Sequence, residues 1–174
     1  MILDIRHPAI VADDEEEFTK LIRFYKEILG MKEVWNEIED YEQMKCMLGD
    51  VEIYGKKIKD QGCAVWSIKL AAKSGAELEI MKFIKPRTVK ILHGYFCTGI
   101  SHISFTVDDL DETIKRIKKS GLGEIISESC EAKLKPVKIA VVKDPGGNFI
   151  ELVEEKNTVR KWIRLLKRVM GSLI

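Results

Sequence analysis

HPAIVADD, running from His7 to Asp14, returns as HISFTVDD from His102 to Asp109; in both copies a histidine opens a short apolar run and an Asp-Asp pair closes it at the same distance. Internal repetition of this kind fixes architecture before any residue has a role, because each repeat is one structural unit. Each copy then reaches a second shared feature. GAELEIMKF carries Glu79 within an apolar strand, and DPGGNFIELVE carries Glu151 in the same way. Two histidines and two glutamates in a twofold-repeated frame are the donors that a divalent metal site needs.

A chain of 174 residues holds one compact domain, or two half-size modules sharing a core, and the repeat points to the second arrangement. With 45% hydrophobic and 33% charged residues, the composition is that of a soluble globular protein. A net charge of +1 gives no overall field that would draw nucleic acid or a membrane. The opening MILDIRHPAI lacks the basic start and long apolar run of a secretion signal, and no stretch approaches the roughly 20 apolar residues of a membrane span, so a cytoplasmic location is expected. Cys46, Cys63, Cys97 and Cys130 show no Cys-x-x-Cys spacing and read as reduced thiols packed as small hydrophobes.

Working outward, Leu3 to Val11 reads as a strand, with Asp13-Asp14 signalling a helix start. From Glu15 to Leu29, Phe18, Leu21, Ile22, Tyr25, Ile28 and Leu29 recur at helical spacing, and Gly30 ends the run. Met31 to Ile38 is a second strand. Residues 39 to 62 mix a helical pattern with an extended one and predict a short helix and a loop, after which Ala64–Ala72 and Ala76–Ile84 form a hairpin around Lys73-Ser74-Gly75. The second copy predicts strand Ile100–Val107, helix Leu110–Ser120, strand Glu124–Ser129, strand Val137–Val142, the turn Asp144-Pro145-Gly146-Gly147-Asn148 and strand Phe149–Glu154. Between the acid pair and the following glycine, the first copy is longer by about one helical turn, so its helix should gain a turn. Each copy is therefore a βαβββ module, and the fold class is α+β. From Asn157 on, Val159, Trp162, Ile163, Leu166, Val169 and Met170 form a stripe opposed by basic residues, predicting a C-terminal amphipathic helix over 156–174 that packs on its own domain or on a partner copy.

If two equivalent modules are related by a pseudo-twofold axis, the four positions His7, Glu79, His102 and Glu151 converge. A lone histidine at a strand start is more often a cap than a ligand, and a strand glutamate usually faces water. The repetition raises both above that background. Glu77 shares the face of Glu79 and is its nearest competitor; Glu79 is preferred because Leu78-Glu79-Ile80 parallels Ile150-Glu151-Leu152. His93 lies in the linker and is not expected to be a ligand. Nitrogen and carboxylate donors without thiolate suit Zn²⁺, Ni²⁺, Co²⁺, Mn²⁺ or Fe²⁺, and four of them leave coordination positions open for substrate.

The runs His7 to Asp14, FYKEILGM from Phe24 to Met31, GISHISF from Gly99 to Phe105 and KDPGGNFIEL from Lys143 to Leu152 resemble the vicinal oxygen chelate superfamily of glyoxalases, epimerases, extradiol dioxygenases and drug-resistance proteins. The resemblance spans about residues 3 to 155, and implies one domain over 1–155 made of modules 3–85 and 99–155, with a curved mixed sheet around a metal cleft. The order His, Glu, His, Glu resembles the ligand set of bacterial glyoxalase I, which implies metal ligation by His7, Glu79, His102 and Glu151. Where that enzyme usually has a basic residue for glutathione after the first histidine, Pro8-Ala9-Ile10-Val11 is apolar, so the resemblance does not by itself imply glutathione. The implied function is a metal-dependent lyase, isomerase or epimerase acting on a small molecule with vicinal oxygens through a metal-stabilised enediolate, with Glu151 preferred as the base that removes the proton and returns it on the neighbouring atom, and Glu79 on the opposite side doing the reverse transfer. The other functions within the superfamily are drug binding without chemistry, dioxygenation and thiol transfer. A homodimer is compatible with the resemblance.

Overall fold

Alternation in β1 (Ala9–Ala12) buries Ile10 and Ala12 and turns Ala9 and Val11 to the opposite face. The computed structural model describes residues 6–48, 51–53, 55–89, 94–95, 98–132 and 136–156. The strand begins later than the run from Leu3 suggests, since residues 6–8 are not extended ladder and Pro8 has no amide proton to give one. The carbonyl of Pro8 nevertheless accepts from the Glu79 amide at 3.0 Å, so His7 is held in register ahead of the strand. Asp14 then caps α1 (Glu15–Arg23), accepting from Glu17 N at 2.8 Å, while Glu17 Oε1 accepts from Asp13 N at 3.0 Å. The extra helical turn predicted by the longer first copy is present but is wound as a π-turn, Phe24–Ile28, with Leu29 N donating to Phe24 O at 3.2 Å. Across this wider turn the adjacent Phe24 and Tyr25 are both buried, their rings 5.2 Å apart and edge to face.

β2 (Lys32–Asp40) leads into the segment the sequence predicts as one short helix and a loop. That segment is more ordered than predicted. It forms α2 (Tyr41–Leu48), the small hairpin β3 (Glu52–Ile53) and β4 (Lys56–Lys57), and the single turn α3 (Ile58–Gln61). β5 (Ala64–Ala71) and β6 (Glu77–Lys85) follow as the predicted hairpin, closed by Gly75 N to Ala72 O at 2.9 Å with Gly75 at φ +88°. The sheet order is β1-β6-β5-β2, with β1 parallel to β6 and the other neighbours antiparallel. Phe18 and Leu21 of α1 cover one face of it, with Ile68, Leu70, Leu78 and Ile80 buried beneath, and Phe18 packs on Trp66 at 4.9 Å between rings.

The second copy repeats this plan without the insertion. β7 (Ile103–Thr106), α4 (Leu110–Ser120), β8 (Glu124–Glu131), β9 (Val137–Lys143) and β10 (Phe149–Glu155) give the sheet order β7-β10-β9-β8, again with the first strand parallel to the last. Asp109 caps α4 by accepting from Glu112 N at 2.9 Å, and Gly121 ends it in the left-handed conformation. Leu110, Ile114 and Ile117 cover Ala140, Val142, Ile150 and Leu152. The chain divides into two compact units, Met1–Ile91 and Leu92–Ile174, and each contains one βαβββ module with its own four-stranded mixed sheet, an α+β fold. The predicted amphipathic helix lies, from Asn157 on, outside the described residues, as does His93. Among the described residues no helix is long and apolar enough to cross a membrane.

Candidate metal centre

In each unit the helix occupies one face of the sheet, so the polar residues of the central strands turn to the other. On β6 the burial of Leu78 and Ile80 places Glu79 on the face away from α1, with Met81 and Phe83 beside it. His7 stands next to it: Nε2 lies 3.1 Å from Glu79 Oε2, with the two side chains 21% and 15% exposed. The other oxygen, Oε1, accepts from the hydroxyl of fully buried Ser67 at 2.6 Å. His7 Nδ1 is buried and has no hydrogen-bond partner among the described residues, so the ring's polar capacity is spent on the nitrogen that faces Glu79.

The second unit assembles the same pair more openly. His102 Nε2 lies 4.0 Å from Glu151 Oε2, with side chains 30% and 26% exposed. Ser104 Oγ donates to Glu151 Oε2 at 2.7 Å, and Ser101 Oγ lies 2.8 Å from His102 Nδ1. Tyr95 stacks on His102 with ring centroids 5.6 Å apart and planes 4° from parallel, and meets Phe149 edge-on at 5.3 Å. The turn before β10 is fixed by buried Asp144, which accepts from Gly146 N at 3.0 Å and Asn148 N at 2.9 Å, and this sets where Glu151 emerges. Both histidines lie ahead of their strands, His102 directly before β7 and His7 one residue further from β1, and each stands two residues before the position paired with its glutamate: Ala9 with Glu79, Ser104 with Glu151.

The donor chemistry fits a borderline divalent ion. Two ligand atoms about 2.1 Å from one ion and at right angles are about 3 Å apart, which the 3.1 Å His7–Glu79 pair matches and the 4.0 Å His102–Glu151 pair exceeds. Among the described residues no three His, Cys, Asp or Glu side chains are gathered as an ion-holding group; what the structure brings together is two His–Glu pairs, one in each unit. Glu77, the competitor of Glu79, is not part of either pair. Ser67, Ser101, Ser104 and Tyr95 are the site residues that the sequence reading gave no role. The one signal for Ser67 was a hydroxyl at an otherwise apolar position between Val65 and Ile68, all three of them buried.

The insertion touches this site. Met44 of α2, Ile58 of α3, Cys63 and Val65 form a buried cluster, with Tyr41, Leu48, Met81 and Phe83 packed against it. Since Met81 and Phe83 share the face of Glu79, the 41–63 segment covers that face just beyond the glutamate with apolar side chains. Burial pushes the Cys63 thiol up from its ordinary value, which suits an inert packing role.

The profile of the Glyoxalase/Bleomycin resistance protein/Dioxygenase superfamily matches residues 5–152. The chain belongs to this superfamily. Among the members it is similar to are a probable lactoylglutathione lyase of Vibrio parahaemolyticus, 30% identical over 141 residues covering 80% of this chain and 84% of that one, and the lactoylglutathione lyase of Haemophilus influenzae, 28% identical over 143 residues covering 82% and 87%. Among solved structures, a glyoxalase family protein from Bacillus cereus superposes with a TM-score of 0.68 at 19% identity, covering 90% of this chain and 97% of that one. That likeness speaks for the fold, and the two βαβββ modules are the glyoxalase fold.

Proposed function

We propose that this member of the glyoxalase superfamily is a metal-dependent lyase or isomerase, in which His7, Glu79, His102 and Glu151 together hold one divalent ion and a small molecule with vicinal oxygens is the substrate. The observation that carries the reading is the recurrence of the His–Glu pair: both modules set a histidine nitrogen against a glutamate oxygen at the same register of the sheet. The relatives named as lactoylglutathione lyases support thioester chemistry of a 2-hydroxyacyl group as the first substrate class to try.

A bound ion would supply Lewis acidity, stabilising negative charge on substrate oxygens and lowering the cost of removing a proton from the carbon that bears one of them. Glu151 is the base. Its Oε2 is held by Ser104, and Oε1 has no hydrogen-bond partner among the described residues, which leaves one oxygen to take the proton from carbon and give it back to the adjacent carbon. Glu79, engaged at both oxygens by Ser67 and His7, holds its position as a ligand and leaves the proton transfer to Glu151. Met81 and Phe83, backed by the 41–63 segment, favour an apolar substituent next to Glu79 and keep water from that side.

The test is turnover. Protein loaded in turn with Ni²⁺, Zn²⁺, Co²⁺ or Mn²⁺ is offered hemithioacetals of 2-oxoaldehydes with glutathione and with other small thiols, and epimeric 2-substituted acyl thioesters. Metal-dependent conversion of at least one, with solvent deuterium entering at the carbon that gains the proton, is the expected result. No conversion and no deuterium exchange across the panel with any of the ions overturns the enzymatic reading and leaves the fold serving as a binding protein.

A further inference from the structure

The two glutamates occupy equivalent places in the repeat, yet the hydroxyls that hold them do not. In the first unit Ser67 sits on β5, opposite Met81, two residues beyond Glu79. The equivalent position in the second unit, opposite Val153, is Ile139. In the second unit Ser104 sits on β7 directly opposite Glu151, where the first unit has Ala9 opposite Glu79. Each unit therefore has one serine where its twin has an alkyl side chain, on opposite flanks of the glutamate strand.

The consequence is chemical. Ser67 approaches from the side away from β1 and donates to Oε1 at 2.6 Å, leaving Oε2 against His7 at 3.1 Å, so both oxygens of Glu79 are engaged. Ser104 approaches from the histidine-bearing strand and donates to Oε2 at 2.7 Å, the same oxygen that faces His102 at 4.0 Å. In the first unit Ser67 and His7 hold opposite oxygens and fix the carboxylate's rotation about its terminal bond; in the second Ser104 holds a single corner and lets the other oxygen swing. Ser67 is fully buried, so its hydroxyl proton has lost water as an alternative acceptor and stays on the glutamate, whereas Ser104 is exposed.

We propose that Ser67 and Ser104 are positioning residues that divide the work of the two glutamates: Ser67 locks Glu79 as a fixed ligand beside His7, and Ser104 tethers Glu151 by one oxygen so that the other is available for proton transfer. This rests on the metal-centre reading for its purpose, but the lock itself belongs to the metal-free protein. Two measurements separate them. In metal-free protein, Ser67→Ala shifts the ring nitrogen resonances of His7 while the backbone amide spectrum elsewhere is retained, Ser67→Thr, which keeps the hydroxyl, leaves them in place, and Ser104→Ala does not move those of His102. In calorimetric titration with Ni²⁺, Ser67→Ala weakens binding by about ten-fold or more, as loss of a ligand's supporting partner does, and Ser104→Ala weakens it less. Unmoved His7 resonances in Ser67→Ala overturn the lock, and equal losses of Ni²⁺ affinity in both variants overturn the division of work. If the unaltered protein takes up no Ni²⁺ while Ser67→Ala still moves His7, the metal reading fails and the lock stands.

Discussion

In the proposed site, each role rests on which atom of a side chain is left to act. Glu79 Oε2 and His7 Nε2 are aimed at each other, whereas Glu151 keeps one oxygen without a hydrogen-bond partner among the described residues. Glu151→Gln is therefore expected to lower kcat by about 10²- to 10⁴-fold, the usual worth of a positioned base, while Ni²⁺ is still retained in a calorimetric titration. Full activity in this variant would remove Glu151 from the role of base. Tyr95 stacked on His102 fixes that ring's plane, and Ser101 Oγ at Nδ1 holds the ring's far nitrogen, leaving Nε2 toward Glu151. Among the described residues His7 Nδ1 has no such partner, so its hold depends on Glu79.

Among elements, the turn before β10 and the 41–63 segment do most to place the site. Asp144 accepts from Gly146 N, Asn148 N and the Asn148 side-chain amide, and is 4% exposed. Asp144→Ala leaves those donors unpaired, and is expected to cost about 1–3 kcal/mol in denaturant unfolding and to weaken metal uptake by misplacing Glu151. Ile58, 1% exposed, is the anchor of the insertion, so Ile58→Ala is expected to cost about 2–5 kcal/mol, read by hydrogen exchange as opening of 41–63 with β5 and β6 still protected. The repeat, the caps at Asp14 and Asp109 and the strands carrying both glutamates were legible in the sequence because they depend on local pattern: alternation, helical spacing and turn residues. Three things were not. The π-turn at Phe24–Ile28 depends on burying two adjacent aromatic rings, the packing of α2 and α3 depends on Val65, Met81 and Phe83 from other strands, and the serine contacts depend on cross-strand register. Pro8 showed that the histidine could be in register without being in the strand, which no alternation rule conveys.

At the scale of the whole molecule, exposed ion pairs set the response to pH. Hydrogen bonds from Lys26 to Glu33, Lys138 to Asp111 and Lys156 to Glu131 hold those carboxyls below their ordinary values, and the Asp111 pair ties α4 to β9. A carboxyl lowered in the folded chain adds stability that is complete above its ordinary range and is lost as pH falls through the lowered value. The melting temperature is therefore expected to be level between about pH 5 and 8 and to decline on the acid side, with salt flattening the decline because the pairs are exposed; a melting temperature that rises on acidification would contradict this. The Lys138 and Lys20 ammonium groups are held above their ordinary values by hydrogen bonds to Asp111 and Glu16, and lose their contribution only as pH rises through the raised values. The central claim, that one His–Glu pair from each module serves a single ion, is tested most directly by titrating Ni²⁺ into the unaltered chain and into His7→Ala and His102→Ala. One ion per chain, with affinity lost in either variant, is the predicted result. Two independent sites per chain, or affinity untouched by removal of either histidine, would contradict it.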